Sequence, residues 1–132
     1  MAAPSERLTG VWHGLYTYAN QPEPVYFVAT LIESGSHLSG TTFESAVGQT
    51  GAPLTLNALI EGTRAGVSIA FLKRYDGSGG WHHGVAYEGT LNGERTEIEG
   101  GWTIGSAASG RFLMIRSSGA SETVVRRAFA KA

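Results

Sequence analysis

Leu8-Thr9-Gly10-Val11-Trp12-His13-Gly14-Leu15-Tyr16-Thr17-Tyr18-Ala19 sets the reading of the whole chain. Trp12, Tyr16 and Tyr18 fall on one parity, with Gly14 between them. Successive side chains of a strand point to opposite faces, so this period-two pattern predicts a strand with one aromatic face. The same alternation recurs at 25–33, 38–45, 54–61, 67–75, 83–91, 97–104 and 110–116.

The links between these segments carry turn chemistry. Pro22 and Pro24 predict the first turn, and Ser34-Gly35-Ser36 a short hairpin link. Residues 46–53 form a longer loop, and 62–66 turn the chain into the fifth strand. Asp76-Gly77-Ser78-Gly79-Gly80 is a glycine-rich connection, Asn92-Gly93 is a hairpin signal, and 105–109 lead into the last strand. Short strands joined by tight links favour a meander, and closing its sheet removes the exposed edges. The expected fold is therefore all-β: an eight-stranded antiparallel up-and-down barrel over about 8–116, within a single domain of 1–132. The chain has 19 glycines, and those that interrupt alternating apolar segments read as barrel corners.

The extension 117–132 has a different pattern. Val124 and Ala128 are four apart, as are Val125 and Phe129; Ser121 can cap, and Arg126, Arg127 and Lys131 come late. These features suggest a short amphipathic helix outside the barrel, with another strand as the competing reading.

A chain of 132 residues can bury a core without covalent staples. It contains no cysteine, which excludes disulfides, thiolate metal sites and cysteine nucleophiles. Ten basic and eleven acidic side chains leave a net charge of -1, so no field draws in nucleic acid or an anionic membrane. Met1 to Arg7 has no apolar core of a signal peptide, and no apolar run is long enough to cross a bilayer. The expected location is the cytoplasm.

Several motifs taken in order resemble the avidin–streptavidin group of calycin-like barrels. Leu8-Thr9-Gly10-Val11-Trp12 resembles the start of its first strand, and Thr41-Thr42-Phe43-Glu44-Ser45-Ala46-Val47-Gly48 its third strand and following loop. Ile69 to Tyr75 is similar to the fifth strand, Tyr87-Glu88-Gly89 to the sixth, and Glu97 to Ile104 to the seventh. The resemblance covers roughly 8–116 and implies a barrel that holds a small molecule.

The resemblance also implies which positions would face a ligand. The polar first-strand positions fall at Gly14 and Tyr18, and the third-strand tyrosine at Phe43, while Ser45 keeps its serine. Gln49 stands at the loop asparagine, Phe71 at the fifth-strand tryptophan, and His83, Val85 and Tyr87 at the sixth-strand trio. Trp102 is kept, the tryptophan shared across subunits falls near Phe112, and the late aspartate has no counterpart. The aromatic box thus persists while most of the biotin cradle is absent. Each lost buried partner costs about 1–3 kcal/mol, so avidin-grade biotin binding is not expected.

Parity alone places Gly14, Tyr16, Tyr18, Phe71, Tyr75, Val85, Tyr87, Trp102, Phe112 and Met114 on the face of Trp12. Together the two lines give a ligand set of Tyr16, Tyr18, Phe43, Ser45, Gln49, Phe71, His83, Tyr87 and Trp102. Aromatics also fill small barrels outright, so each has a core-filling alternative. Trp12 reads as an end plug, with Arg116 placed to stack on it. His82 and His83 are adjacent and so point to opposite faces. Glu97 and Glu99 lie opposite Trp102 in parity and read as a solvated face. No metal spacing, cofactor motif or catalytic residue set is present.

Three functions fit this reading: a small-molecule-binding barrel with an aromatic cavity, a barrel enzyme using a Tyr or His for acid–base chemistry, and a filled structural module. Apolar residues on both parities, such as Leu113 and Ile115 opposite Phe112 and Met114, suggest a second buried surface and a homo-oligomer, dimer or tetramer.

Overall fold

The computed structural model describes residues 7–47, 50–78 and 82–117. Its strands are β1 (Gly10–Tyr18), β2 (Gln21–Ser34), β3 (His37–Val47), β4 (Pro53–Ala65), β5 (Ser68–Tyr75), β6 (Gly84–Leu91), β7 (Glu97–Ile104) and β8 (Ala108–Arg116). Each pairs antiparallel with its sequence neighbour, and β8 returns to β1 to close the barrel. The closing register sets Trp12 opposite Arg116, Tyr16 opposite Phe112 and Tyr18 opposite Gly110. The expected helix at 121–132 lies outside the described residues, as does Gln49.

Alternation explains the inside. On β5, Ile69, Phe71, Lys73 and Tyr75 are buried while Ser68, Ala70, Leu72 and Arg74 are exposed. On β4, Leu56, Ala58 and Ile60 face inward. The buried side chains form one core from Leu8 and Trp12 at one end to Tyr75 and Trp102 towards the other.

Two links differ from expectation. The first turn is at Ala19–Asn20, and Pro22 and Pro24 lie inside β2. Ladder pairing of β2 with β3 begins only at Phe27 opposite Glu44, so a proline before that point removes no bond to β3. Residues 62–65 continue β4, and the turn follows at Gly66, whose φ of +63° suits glycine.

The end plug is as expected. The Trp12 indole donates to the Leu8 carbonyl at 2.9 Å, and the Arg116 guanidinium lies 4.7 Å from the Trp12 ring centroid. Arg116 also donates to the carbonyls of Arg95 and Thr9. The Leu8 backbone N–H donates to Glu33, which pairs with Arg64 at 2.9 Å. This end of the barrel is shut. Glu97 and Glu99 face solvent on the outer wall.

A buried ion pair beneath an aromatic mouth

At the opposite end, two charges sit among the aromatics. Glu44 is on the inward parity of β3, with Thr42 and Ala46. Lys73 is on the inward parity of β5, between Phe71 and Tyr75. Glu44 and Lys73 are 3% and 1% exposed, and Lys73 Nζ donates to Glu44 Oε1 at 2.9 Å. The remaining capacity of the carboxylate is used by two phenols. Tyr16 donates to Glu44 Oε2 at 2.6 Å and Tyr75 to Oε1 at 2.7 Å. An ionised carboxylate makes such hydrogen bonds short and strong.

The ammonium also has a ring environment. Lys73 Nζ lies 4.9, 5.0, 4.9 and 5.8 Å from the ring centroids of Tyr16, Phe27, Tyr75 and Tyr87. Cation–π attraction strengthens when the cation is desolvated. Gly14 is needed for this arrangement, because a Cβ there would run into the Phe27 ring.

Burial dominates the electrostatics. It pushes the Lys73 ammonium below its ordinary pKa of 10.5, and Glu44 offsets only part of that shift. Burial, reinforced by the Glu44 charge, raises Tyr16 and Tyr75 far above 10.0 and Tyr18 above it. Tyr87 is raised well above 10.0 by burial, with Tyr16 and Glu44 adding to it. None of these phenols ionises near neutrality, which removes tyrosine as a general base there.

Above the pair lies the mouth, lined by Tyr16, Tyr18, Tyr75, His83, Tyr87 and Trp102 with Val85 and Ile104. The free space among these side chains is about 10 Å3, the size of one water position. Tyr18 meets Trp102 edge-on at 5.0 Å, and His83 leans on the Tyr75 ring at 4.9 Å. The Trp102 indole donates to the Thr17 carbonyl at 3.1 Å, which fixes the ring over β1. Among the described residues, neither the Tyr18 nor the Tyr87 hydroxyl makes a hydrogen bond, and Thr42 Oγ1 is buried without a partner. No group of three or more His, Asp or Glu is placed to hold a metal ion among them either.

The structure brings together Tyr16, Tyr18, His83, Tyr87 and Trp102 of the expected ligand set. Phe71 lies outside the mouth lining, stacked on Tyr87 at 4.7 Å with 12° between planes. Phe43 and Ser45 require correction. Both are exposed on the outer wall, Phe43 at 51%, because Thr42 and Glu44 take the inward parity of β3. The third-strand resemblance therefore points the wrong pair of side chains into the barrel. The Tyr16 hydroxyl, from the expected ligand set, is already satisfied by Glu44. The sequence reading missed Glu44 and Lys73. A signal was present for Lys73 alone, a charge on the otherwise apolar inward parity of Ile69, Phe71 and Tyr75.

No family model matches the chain, and no curated protein matches it significantly. Among solved structures it is similar to one described as a de novo design of a fluorescence-activating beta barrel, with a TM-score of 0.57 and 12% identity over 89% of this chain and 100% of that one. At that identity the likeness is one of fold: a closed eight-stranded antiparallel barrel.

Proposed function

We propose that the chain is a small-molecule-binding barrel whose ligand docks at the mouth between Tyr18, Tyr87, His83 and Trp102. The observation that carries this reading is the division of labour among the tyrosines. Tyr16 and Tyr75 are committed to Glu44, while the Tyr18 and Tyr87 hydroxyls at the mouth make no hydrogen bond among the described residues. Polar groups at the edge of an aromatic pocket are what orient a small ligand. The ligand class is a small planar molecule with one hydrogen-bonding group, admitted as the half-buried Tyr18 and exposed His83 swing aside. The likeness in fold to a designed barrel described as fluorescence-activating is compatible with this use. The avidin-like resemblance supports the same use of the fold without its ligand, since Gly14 and Tyr18 stand where polar groups would hold biotin.

Native mass spectrometry tests this reading, with cinnamyl alcohol as a planar probe and biotin as the contrast. One retained alcohol per chain, lost in Tyr87→Leu, supports the mouth; biotin is not retained at nanomolar concentration. If neither probe is retained, the barrel is a filled structural module, a reading that the 10 Å3 space favours.

We also infer a homo-oligomer formed through the outer wall of β5–β8. A shallow depression of about 890 Å3 there is lined by small side chains, among them Ala70, Ala86, Thr103 and Ser109, flanked by Glu88 and Arg111. Small residues let a second sheet approach closely. Ala86→Arg is expected to yield monomers in light scattering if this surface is the contact.

A further inference from the structure

We propose that Lys73 captures small aldehydes that enter the mouth, forming a protonated Schiff base that stays paired with Glu44; this rests on the mouth being a binding site. The chain has eight arginines and two lysines, Lys73 and Lys131, and one of those two is inside the barrel. Arginine is the usual partner in a buried ion pair, because its guanidinium forks onto a carboxylate. A lysine offers what arginine lacks, a primary amine that burial makes easier to deprotonate. A structural pair in this place would also be costly: two charges withdrawn from water are often matched or bettered by packed apolar side chains.

The geometry connects amine and mouth. Tyr16, Tyr75 and Tyr87 line the mouth and also ring Lys73 Nζ, so the amine lies one layer of rings below the opening. Tyr16 and Tyr75 are tied to Glu44, whereas the Tyr87 hydroxyl makes no hydrogen bond among the described residues and its ring is held by packing alone, on Phe71 and Phe112.

The chemistry balances within the pair. The Lys73 ammonium passes a proton to Glu44 along the 2.9 Å hydrogen bond. The freed nitrogen lone pair attacks the carbonyl carbon, forming a C–N bond as the C=O π pair moves to oxygen. Transfer of a nitrogen-bound proton to that oxygen gives the carbinolamine. Glu44 returns its proton to the hydroxyl, which leaves as water as the nitrogen lone pair closes the C=N bond. Overall, aldehyde plus ammonium gives iminium plus water, with one cation and one carboxylate inside the barrel before and after. The ring box that surrounds the ammonium suits the iminium equally, and a dry site resists its hydrolysis.

The test incubates the full chain with cinnamaldehyde and sodium cyanoborohydride at neutral pH, followed by peptide mapping. The expected result is reduced adduct at Lys73, formed roughly tenfold faster than at Lys131 or the N-terminal amine, as an amine poised by burial requires. Lys73→Arg should lose that adduct and still retain cinnamyl alcohol. Before reduction, the conjugated iminium should show a red-shifted absorbance in wild type alone. If the alcohol is retained while Lys73 stays unlabelled, amine capture is overturned and the mouth stands. If neither alcohol nor aldehyde is retained, both readings are overturned.

Discussion

Lys73 Nζ lies 2.9 Å from Glu44 Oε1, and both side chains are buried. The barrel thus encloses an ion pair that is closed on its other sides by four aromatic rings, two of which, Tyr16 and Tyr75, also donate their phenols to Glu44. Removing one member should be far worse than removing both. Glu44→Gln keeps an acceptor for Tyr16 and Tyr75 but leaves the ammonium unpaired, and is expected to cost about 3–5 kcal/mol. Adding Lys73→Met should restore stability to within about 1 kcal/mol of wild type. Urea denaturation of the four corners of this cycle measures it. A cost for Glu44→Gln below about 1 kcal/mol would show that the pair is not desolvated.

The same cluster predicts the alkaline limb of stability. Tyr16, Tyr18, Tyr75 and Tyr87 all have folded pKa values raised above their ordinary 10.0. For a raised group, stability is fully present below the unfolded pKa and is lost as pH rises above it, because the unfolded state releases protons that the folded state keeps. Lys73 acts in the opposite sense: its depressed folded pKa makes stability rise with pH up to about 10.5. Four phenols outweigh one amine, so stability should fall steeply above pH 10. In the absorbance of phenolate, most of the change should coincide with unfolding seen by circular dichroism. Full titration of all five tyrosines in the folded protein would refute the burial of the cluster.

Thr42 gives a prediction of the opposite sign. Its Oγ1 is buried without a hydrogen bond among the described residues, and it faces Ala29 and Ala58 across the ladder. An unsatisfied buried hydroxyl carries a desolvation cost of about 1–3 kcal/mol. Thr42→Val removes the hydroxyl while keeping the branch, and should raise stability by about 1 kcal/mol. Thr41→Val, on the exposed face of the same strand, should change it by less than about 0.5 kcal/mol. A loss of stability in Thr42→Val would mean that the hydroxyl has a partner in solution, such as a bound water or ligand.

The contrast between Thr42 and Phe43 shows where sequence reading succeeded and where it stopped. Parity alone correctly turned Tyr16, Phe71, Tyr75, Tyr87, Trp102 and Met114 inward, because on those strands the aromatic residues gather on one parity, even where β1 and β8 carry aliphatic residues on the other. On β3 the inward set is Leu38, Gly40, Thr42, Glu44 and Ala46, with Phe43 outside, so hydrophobicity pointed the wrong way. The pleat is decided there by pairing with β2 and β4, a tertiary fact. Lys73 was legible in principle, lying on the parity of Phe71 and Tyr75, but its meaning depended on Glu44 lying opposite it inside the barrel, which no local pattern conveys. The prolines of β2 were misread for a related reason: they occupy a stretch that β3 does not reach.

Gly110 offers the sharpest test of how the mouth is built. It faces Tyr18 on β1 and Trp102 on β7, at the point where the barrel closes. A Cβ there would run into the Thr17 carbonyl oxygen and come within 2.7 Å of Trp102 Nε1. That carbonyl is the acceptor that holds the Trp102 indole. Gly110→Ala must therefore push β8 from β1 or break the hydrogen bond that aims Trp102, and backbone offers no rotamer with which to yield. The expected cost is about 3 kcal/mol or more, beyond the range of ordinary overpacking. Gly93→Ala is the control: nothing lies within 4 Å of its Cβ, and stability should change by less than about 0.5 kcal/mol. Thermal denaturation separates the two, and cinnamyl alcohol retention in the folded fraction reports the mouth. If Gly110→Ala keeps full stability and full retention, Trp102 is not held by this closure, and the mouth has a different support.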